Sequence, residues 1–311
     1  MKAAQIKEYG DASAVEVVEV DFPKIADGQV LIEVKAASLN PFDTMVRAGY
    51  LKEAIPLQLP FTLGGDIAGV VSEVGAGVDG LAVGDVIYGQ ANVVAGNSGA
   101  FAEFAATKAS QIAHAPGNVS EQEAAALPLV GVSALQALKE HINLQPKQKI
   151  FIHGGAGAIG AAAIQIAKNI GADIAVTATG DDIEFVKSLG ADTVIDYKAE
   201  KFSELLSDYD AVFDTVGGTD FTDSLQILKK GGVAVSMTAQ VSEEKAQELG
   251  VTAISQMTHV TTERLDTLRE LIESNVVTPF VDSVYRLEDI QQAFTKREAG
   301  HIRTKIVLSI N

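Results

Sequence analysis

Gly155, Gly157 and Gly160 have the types and spacing for chemistry. They stand in the run Ile150-Phe151-Ile152-His153-Gly154-Gly155-Ala156-Gly157-Ala158-Ile159-Gly160, which fits G-x-G-x-x-G. An apolar strand precedes the motif and a helix over 158–170 follows it, ended by Gly171. In that setting Gly155 permits the tight turn, Gly157 lets backbone approach a pyrophosphate, and Gly160 lets helix pack on strand. The N–H groups around Ala158 and Ile159 open the helix, where a phosphate is held by free donors and the helix dipole. Glycines also collect in ordinary strand-to-helix turns. The strand–turn–helix context favours a dinucleotide.

The second strand should end beside the adenosine ribose, where an NAD-specific site carries an acid about 20 residues after the glycine motif. This chain reads Ile174-Ala175-Val176-Thr177-Ala178-Thr179-Gly180 there. Thr177 or Thr179 takes the place of the acid, with Ala178 between them. A neutral hydroxyl removes repulsion toward a 2′-phosphate and favours NADPH. Asp181 and Asp182 follow, however, and no Arg or Lys comes before Lys187, although a 2′-phosphate normally seeks a cation. NADPH is therefore the expected cofactor, with NADH left open.

Other chemistries are narrowed by what the chain contains. It has no cysteine, which removes disulfides, thiol nucleophiles and thiolate metal sites. Its 5 histidines are too scattered for a local metal motif, and no metal is expected. A formal net charge of −17 repels phosphate backbones, so nucleic acid is not an expected partner. No apolar run approaches the ~18 residues needed to cross a bilayer, and the start alternates like a strand. The expectation is a cytoplasmic protein without membrane association.

The elements that must position these residues fall into two patterns. The first ~115 residues are β-rich, with glycines between short apolar runs, as in a small barrel. A short helix follows Asn40-Pro41 over 41–50. Ser120-Glu121-Gln122-Glu123 is a capping box opening an Ala/Leu-rich helical region to about 140, broken at Pro128. From 149 strands and helices alternate. The strands fall at 149–153, 174–179, 193–196, 211–216, 233–238 and 251–257, with helices at 158–170, 182–189, 200–207 and 219–230. That alternation implies a doubly wound parallel sheet. A helix over 263–275 follows, and the terminal strand, Lys305 to Ile310, is expected to return to the first domain.

Taken together, Ala37-Ser38-Leu39-Asn40-Pro41-Phe42-Asp43, Leu63-Gly64-Gly65-Asp66-Ile67-Ala68-Gly69, Leu127-Pro128-Leu129-Val130-Gly131-Val132-Ser133, the glycine turn, Phe213-Asp214-Thr215-Val216-Gly217-Gly218 and Gly300-His301-Ile302-Arg303-Thr304-Lys305-Ile306-Val307-Leu308 resemble the medium-chain dehydrogenase/reductase superfamily. The resemblance covers essentially the whole chain and is closest to the quinone oxidoreductase, zeta-crystallin-like branch. It implies an α/β fold with a GroES-like β-barrel catalytic domain, 1–122 and 276–311, and a Rossmann NAD(P)-binding domain, 123–275. Zinc alcohol dehydrogenases of this superfamily carry Cys near position 40, Gly-His-Glu where this chain has Gly64-Gly65-Asp66, and a four-Cys lobe. The chain lacks these, so the resemblance implies a zinc-independent enzyme.

The resemblance also implies site residues. Asn40 and Asp43 fall in the nicotinamide-side loop, although Asn40 also suits a turn before Pro41 and Asp43 an early-helix acid. Tyr50 would line the substrate cleft and donate a proton, or serve only as a packing aromatic. Ser133 would bond the cofactor near the nicotinamide, or bond back to its own helix. Tyr197 resembles an adenosine-side tyrosine, and Val216 ends a strand whose carboxyl end faces ligand. Arg303 or Lys305 would supply the missing cation, or be surface charge. His153 is read as a hydrogen-bonded core histidine. The implied reaction is hydride transfer from NAD(P)H to a small electron-poor acceptor, a quinone or an α,β-unsaturated carbonyl, in a dry cleft. An enoyl-thioester reductase and a nicotinamide-binding regulatory or structural protein are the alternatives. Val251–Met257 offers a sheet edge for a homodimer.

Overall fold

A computed structural model of the chain describes residues 1–218, 220–300 and 302–310, with Asp220 described by its backbone alone. Thr219, in the expected helix 219–230, and His301, in a resembling stretch, lie outside them. The chain divides into two compact units. Met1–Leu129, Val260–Glu273 and the stretch from Pro279 onward form the first; Val130–His259 and Ser274–Thr278 form the second. The first thus takes in 123–129 and 260–273, which the sequence reading assigns to the nucleotide domain. Helix Thr262–Glu273 is tied there by hydrogen bonds: its Leu265 carbonyl accepts the Tyr88 hydroxyl at 2.6 Å, and the Thr262 hydroxyl reaches the Ile112 carbonyl at 2.8 Å.

The first unit begins with eight strands: β1 (Lys2–Ile6), β2 (Val15–Glu19), β3 (Gln29–Leu39), β4 (Phe61–Thr62), β5 (Asp66–Val74), β6 (Val86–Gln90), β7 (Phe104–Lys108) and β8 (Ile112–His114). Most of β3 alternates buried and half-buried positions, the period-two signature of a sheet covered on one face. Its last four residues, Ala36 to Leu39, are all buried. The helix Pro41–Arg47 follows at once, with Asn40 as N-cap, Pro41 in its first turn and Asp43 behind it.

The second unit holds six strands: β9 (Lys149–His153), β10 (Asp173–Ala178), β11 (Thr193–Asp196), β12 (Tyr209–Asp214), β13 (Leu228–Ser236) and β14 (Thr252–Ser255). All pairings are parallel, in the order β11-β10-β9-β12-β13-β14. This is the doubly wound order whose direction reverses between the first and fourth strands. Ile150, Phe151 and Ile152 in β9 are fully buried, as a central parallel strand covered on both faces requires. The helix Ala158–Ile170 follows the glycine turn and ends at Gly171, whose φ of 88° lets its N–H cap the Ala167 and Lys168 carbonyls. The helical region from 121 is three pieces: Glu121–Ala125, Pro128–Leu135, and a π-helical turn over Gln136–His141. Pro128 starts the second piece, since its ring bars continuation of the first.

The chain returns to the first unit with β15 (Val281–Arg286) and β16 (Lys305–Ser309), as expected for the terminal strand. There β16 pairs antiparallel with β3, setting Ile306 opposite Leu39, and lies in the order β15-β16-β3-β5-β6-β8. Ile32, Ile67, Ile87, Phe101, Phe294 and Leu308 pack in the core between these strands.

Candidate cofactor and active-site residues

The carboxyl ends of β9, β10, β11 and β12 carry most of the expected cofactor residues. Gly157 is the N-cap of the helix Ala158–Ile170 and offers no side chain to cap it. Its φ is −68°, an ordinary value, and an added Cβ would meet nothing nearer than the Gly154 carbonyl oxygen at 3.5 Å. Gly160 is different: a Cβ there would lie 2.2 Å from the same oxygen. The fold therefore needs glycine at 160 and leaves room at 157. An open approach to a helix N-terminus is what a pyrophosphate needs, so the turn fits a dinucleotide.

The Thr177 side chain corrects the expectation placed on it. It is 2% exposed, and its hydroxyl accepts the Gly154 N–H at 2.9 Å while its carbonyl accepts the Gly155 N–H at 3.0 Å. Thr177 thus props the glycine turn from inside, and the hydroxyl just past the end of β10 belongs to Thr179. Thr179 hydrogen-bonds the Asp196 carboxylate, which also accepts the Lys198 N–H at 3.0 Å. These bonds hold Asp196 below the usual carboxylate range. Ala178 is buried, and Tyr197 is exposed just past β11.

Asp214, at the end of β12, organises the next two loops. One oxygen accepts His153 Nδ1 at 3.2 Å, the Val216 N–H at 3.1 Å and the Gly217 N–H at 3.0 Å. The other accepts the Ser236 hydroxyl at 2.6 Å, and Ser236 Oγ in turn accepts the Ala239 N–H at 2.9 Å. Burial alone would raise the Asp214 carboxyl, but these donors hold it below its usual range. His153 is thus the core histidine expected, and Val216 is exposed beside it. Ser133 is fully buried; its hydroxyl lies 2.7 Å from Thr258 Oγ1 and its carbonyl accepts Gln256 Nε2 at 3.0 Å. The hub at Asp214 was missed in the sequence. Its only signal there is an acid closing an apolar strand.

Within the first unit, Asn40 and Asp43 are buried, at 3% and 4% exposure. Asn40 Nδ2 donates to Asp66 Oδ2 at 2.9 Å, and Asp66 Oδ1 accepts Gln90 Nε2 at 2.9 Å. Lys305 Nζ donates to Asn40 Oδ1 at 2.6 Å and lies 3.5 Å from Asp66 Oδ2. This overturns the reading of Lys305 as a cation for the cofactor phosphate: its ammonium is already committed to buried partners. Asp43 accepts the Asn40 N–H at 2.7 Å, the early-helix role considered for it. Burial pushes its carboxyl up to about 7, opposed by that hydrogen bond. Arg303 is half-buried and its N–H reaches Asp282 at 3.3 Å. Tyr50 is 78% exposed.

Comparison with known proteins agrees with this arrangement. Residues 26–117 match the alcohol dehydrogenase GroES-like domain and residues 189–308 the zinc-binding dehydrogenase family. The chain is 35% identical to 2-methylene-furan-3-one reductase of Solanum lycopersicum, over 99% of this chain and 79% of that protein. The chain belongs to the medium-chain dehydrogenase/reductase superfamily, in its quinone oxidoreductase branch. This superfamily member is also 34% identical to an NADPH-dependent alkenal/one oxidoreductase of Arabidopsis thaliana, over 96% and 78% of the two chains. Its fold matches the quinone oxidoreductase of Coxiella burnetii with a TM-score of 0.92 at 31% identity, covering 100% and 99%.

The zinc in that family description does not fit this superfamily member's residues. Where zinc-bearing relatives place Cys and His, it has a carboxamide, Asn40, and Gly65, which carries no ligand atom. The space between Asn40 and Asp66 receives the Lys305 ammonium, a cation that repels a second one. Among the described residues no group of three or more His, Cys, Asp or Glu is placed to hold a metal. No helix among them is long and apolar enough to cross a membrane.

Proposed function

We propose that the chain is a zinc-independent reductase that uses NADPH to reduce a quinone or an α,β-unsaturated carbonyl. The observation that carries the reading is Gly157, a helix N-cap that the fold leaves open and the sequence leaves bare. Gly155 to Gly160 would hold the pyrophosphate, Thr179 and Tyr197 the adenosine side, and the Val216 loop set by Asp214 the approach to the nicotinamide. Bound NADPH supplies a hydride; the chain supplies alignment and exclusion of water. The similarity to an alkenal/one oxidoreductase and a quinone oxidoreductase supports the acceptor class.

NADPH oxidation measured against a naphthoquinone, a simple enone and an enoyl thioester tests the proposal. Turnover with either of the first two is expected. Turnover confined to the thioester would make the chain an enoyl-thioester reductase, and tight NADPH binding with no turnover a binding protein.

The proposal includes a cytoplasmic homodimer. Strand β14 is an edge of its sheet, and an unpaired edge invites a second copy. A monomer mass in sedimentation at micromolar concentration would count against it.

A further inference from the structure

The buried Asp66 carboxylate has a partner cation, which the chain supplies from its own terminal strand. Asp66, at the start of β5, is 0% exposed, and Lys305, at the start of β16, is 4% exposed. Strand β3 runs between them: Ser38 lies opposite Asp66 on one side, and Leu39 opposite Ile306 on the other. Asn40 follows directly on β3, so its side chain bonds both charges, its carboxamide oxygen taking the ammonium and its NH2 the carboxylate. Gln90 from β6 satisfies the second Asp66 oxygen. Asp43, which accepts the Asn40 N–H, and Arg297 are the other ionisable groups whose charges act on this cluster. Every polar side chain in this chain of bonds has a partner, which is the condition for a buried ionic network to hold one geometry.

We propose that Lys305 is a resident cation that compensates the buried Asp66 carboxylate, and that it positions Asn40 and the helix beginning at Pro41. The site it fills is specific for a single N–H-bearing monocation. It presents one carboxylate, one carboxamide oxygen and no nitrogen or sulfur ligand, a poor donor set for zinc. Truncating Lys305 to Ala removes three methylenes and the ammonium, and leaves a slot shaped for propylammonium.

The test uses the full chain. Lys305→Met keeps most of the volume and removes the charge, leaving Asp66 uncompensated. A loss of roughly 5–10 °C in melting temperature is expected. Adding Asp66→Asn to Lys305→Met removes the stranded charge, and the double variant should melt above the single one. For Lys305→Ala, propylammonium should raise the melting temperature saturably, while tetramethylammonium, which has no N–H, and sodium at equal ionic strength should not. Any reductase activity lost by Lys305→Ala should return with the same propylammonium dependence. The melting measurements do not depend on the proposed reaction, so they separate failure of this inference from failure of that reading. A Lys305→Met protein as stable as the parent would overturn the proposal. So would a double variant no more stable than the single one, or zinc stabilising the parent or Lys305→Ala where propylammonium does not.

Discussion

The Thr177 hydroxyl accepts the N–H of Gly154 at 2.9 Å, so the second strand of the nucleotide-binding sheet braces the turn that follows the first. Thr177→Val should strand that N–H in a buried place, costing about 1–3 kcal/mol of stability. NADPH and NADH affinities should fall together, because the side chain faces the turn and not the ribose. Calorimetric titration with both cofactors checks this. A variant that binds NADH as the parent does but loses NADPH would show that Thr177 reaches the 2′ position.

Discrimination between cofactors should sit at Asp196. Its carboxylate, held ionised by Thr179 and the Lys198 N–H, adds negative charge at the strand ends where a 2′-phosphate would lie. The group is solvated, so its charge is worth only a few-fold in preference. Asp196→Asn should raise kcat/KM for NADPH relative to NADH by roughly 3- to 10-fold at low salt, and by less at high salt. An unchanged ratio at low salt would place the discriminating group elsewhere.

Gly157 separates a ligand role from a folding role. Its φ of −68° and the open space around its missing Cβ allow a side chain at little cost to the fold. Gly157→Val should leave the melting temperature within a few degrees of the parent and weaken NADPH binding at least tenfold, on the order of 1.4 kcal/mol. NADPH binding at parental strength by protein fluorescence would remove the turn from the site.

Asp43 should make stability depend on pH. Burial raises its folded pKa to about 7 from an ordinary value of 3.8. A raised folded pKa means that the native state keeps a proton the unfolded chain has released. The stabilisation is full below about pH 4 and is lost as pH rises toward 7, a span of order 4 kcal/mol. Asp43→Asn can still accept the Asn40 N–H but does not titrate. Urea unfolding at pH 4.5 and pH 7 should show a smaller loss in the variant than in the parent. Equal losses would mean that Asp43 does not carry the dependence.

Local pattern determined the strand–turn–helix at Gly155 to Gly160, the parallel α/β alternation and the returning strand at Lys305. Each depends on period, glycine placement or apolar runs within a short stretch, where the backbone's own rules act. The Asp43 alternative was legible for the same reason: an acid three residues after an N-cap meets a backbone N–H nearby. Which of Thr177 and Thr179 faces the ligand was not legible, because residues two apart in a strand share a face. Thr177 and Thr179 look alike until β9 and the glycine turn are packed beside β10.

Lys305 and Asp66 are 239 residues apart, and nothing in either neighbourhood specifies the other. Each reads alone as a charge at the start of an apolar strand, a place open to solvent as readily as to a ligand. Only the pairing of β16 and β5 with β3 buries both and sets Asn40 between them. Burial then turns two ordinary surface charges into an ion pair that neither residue can leave without stranding the other.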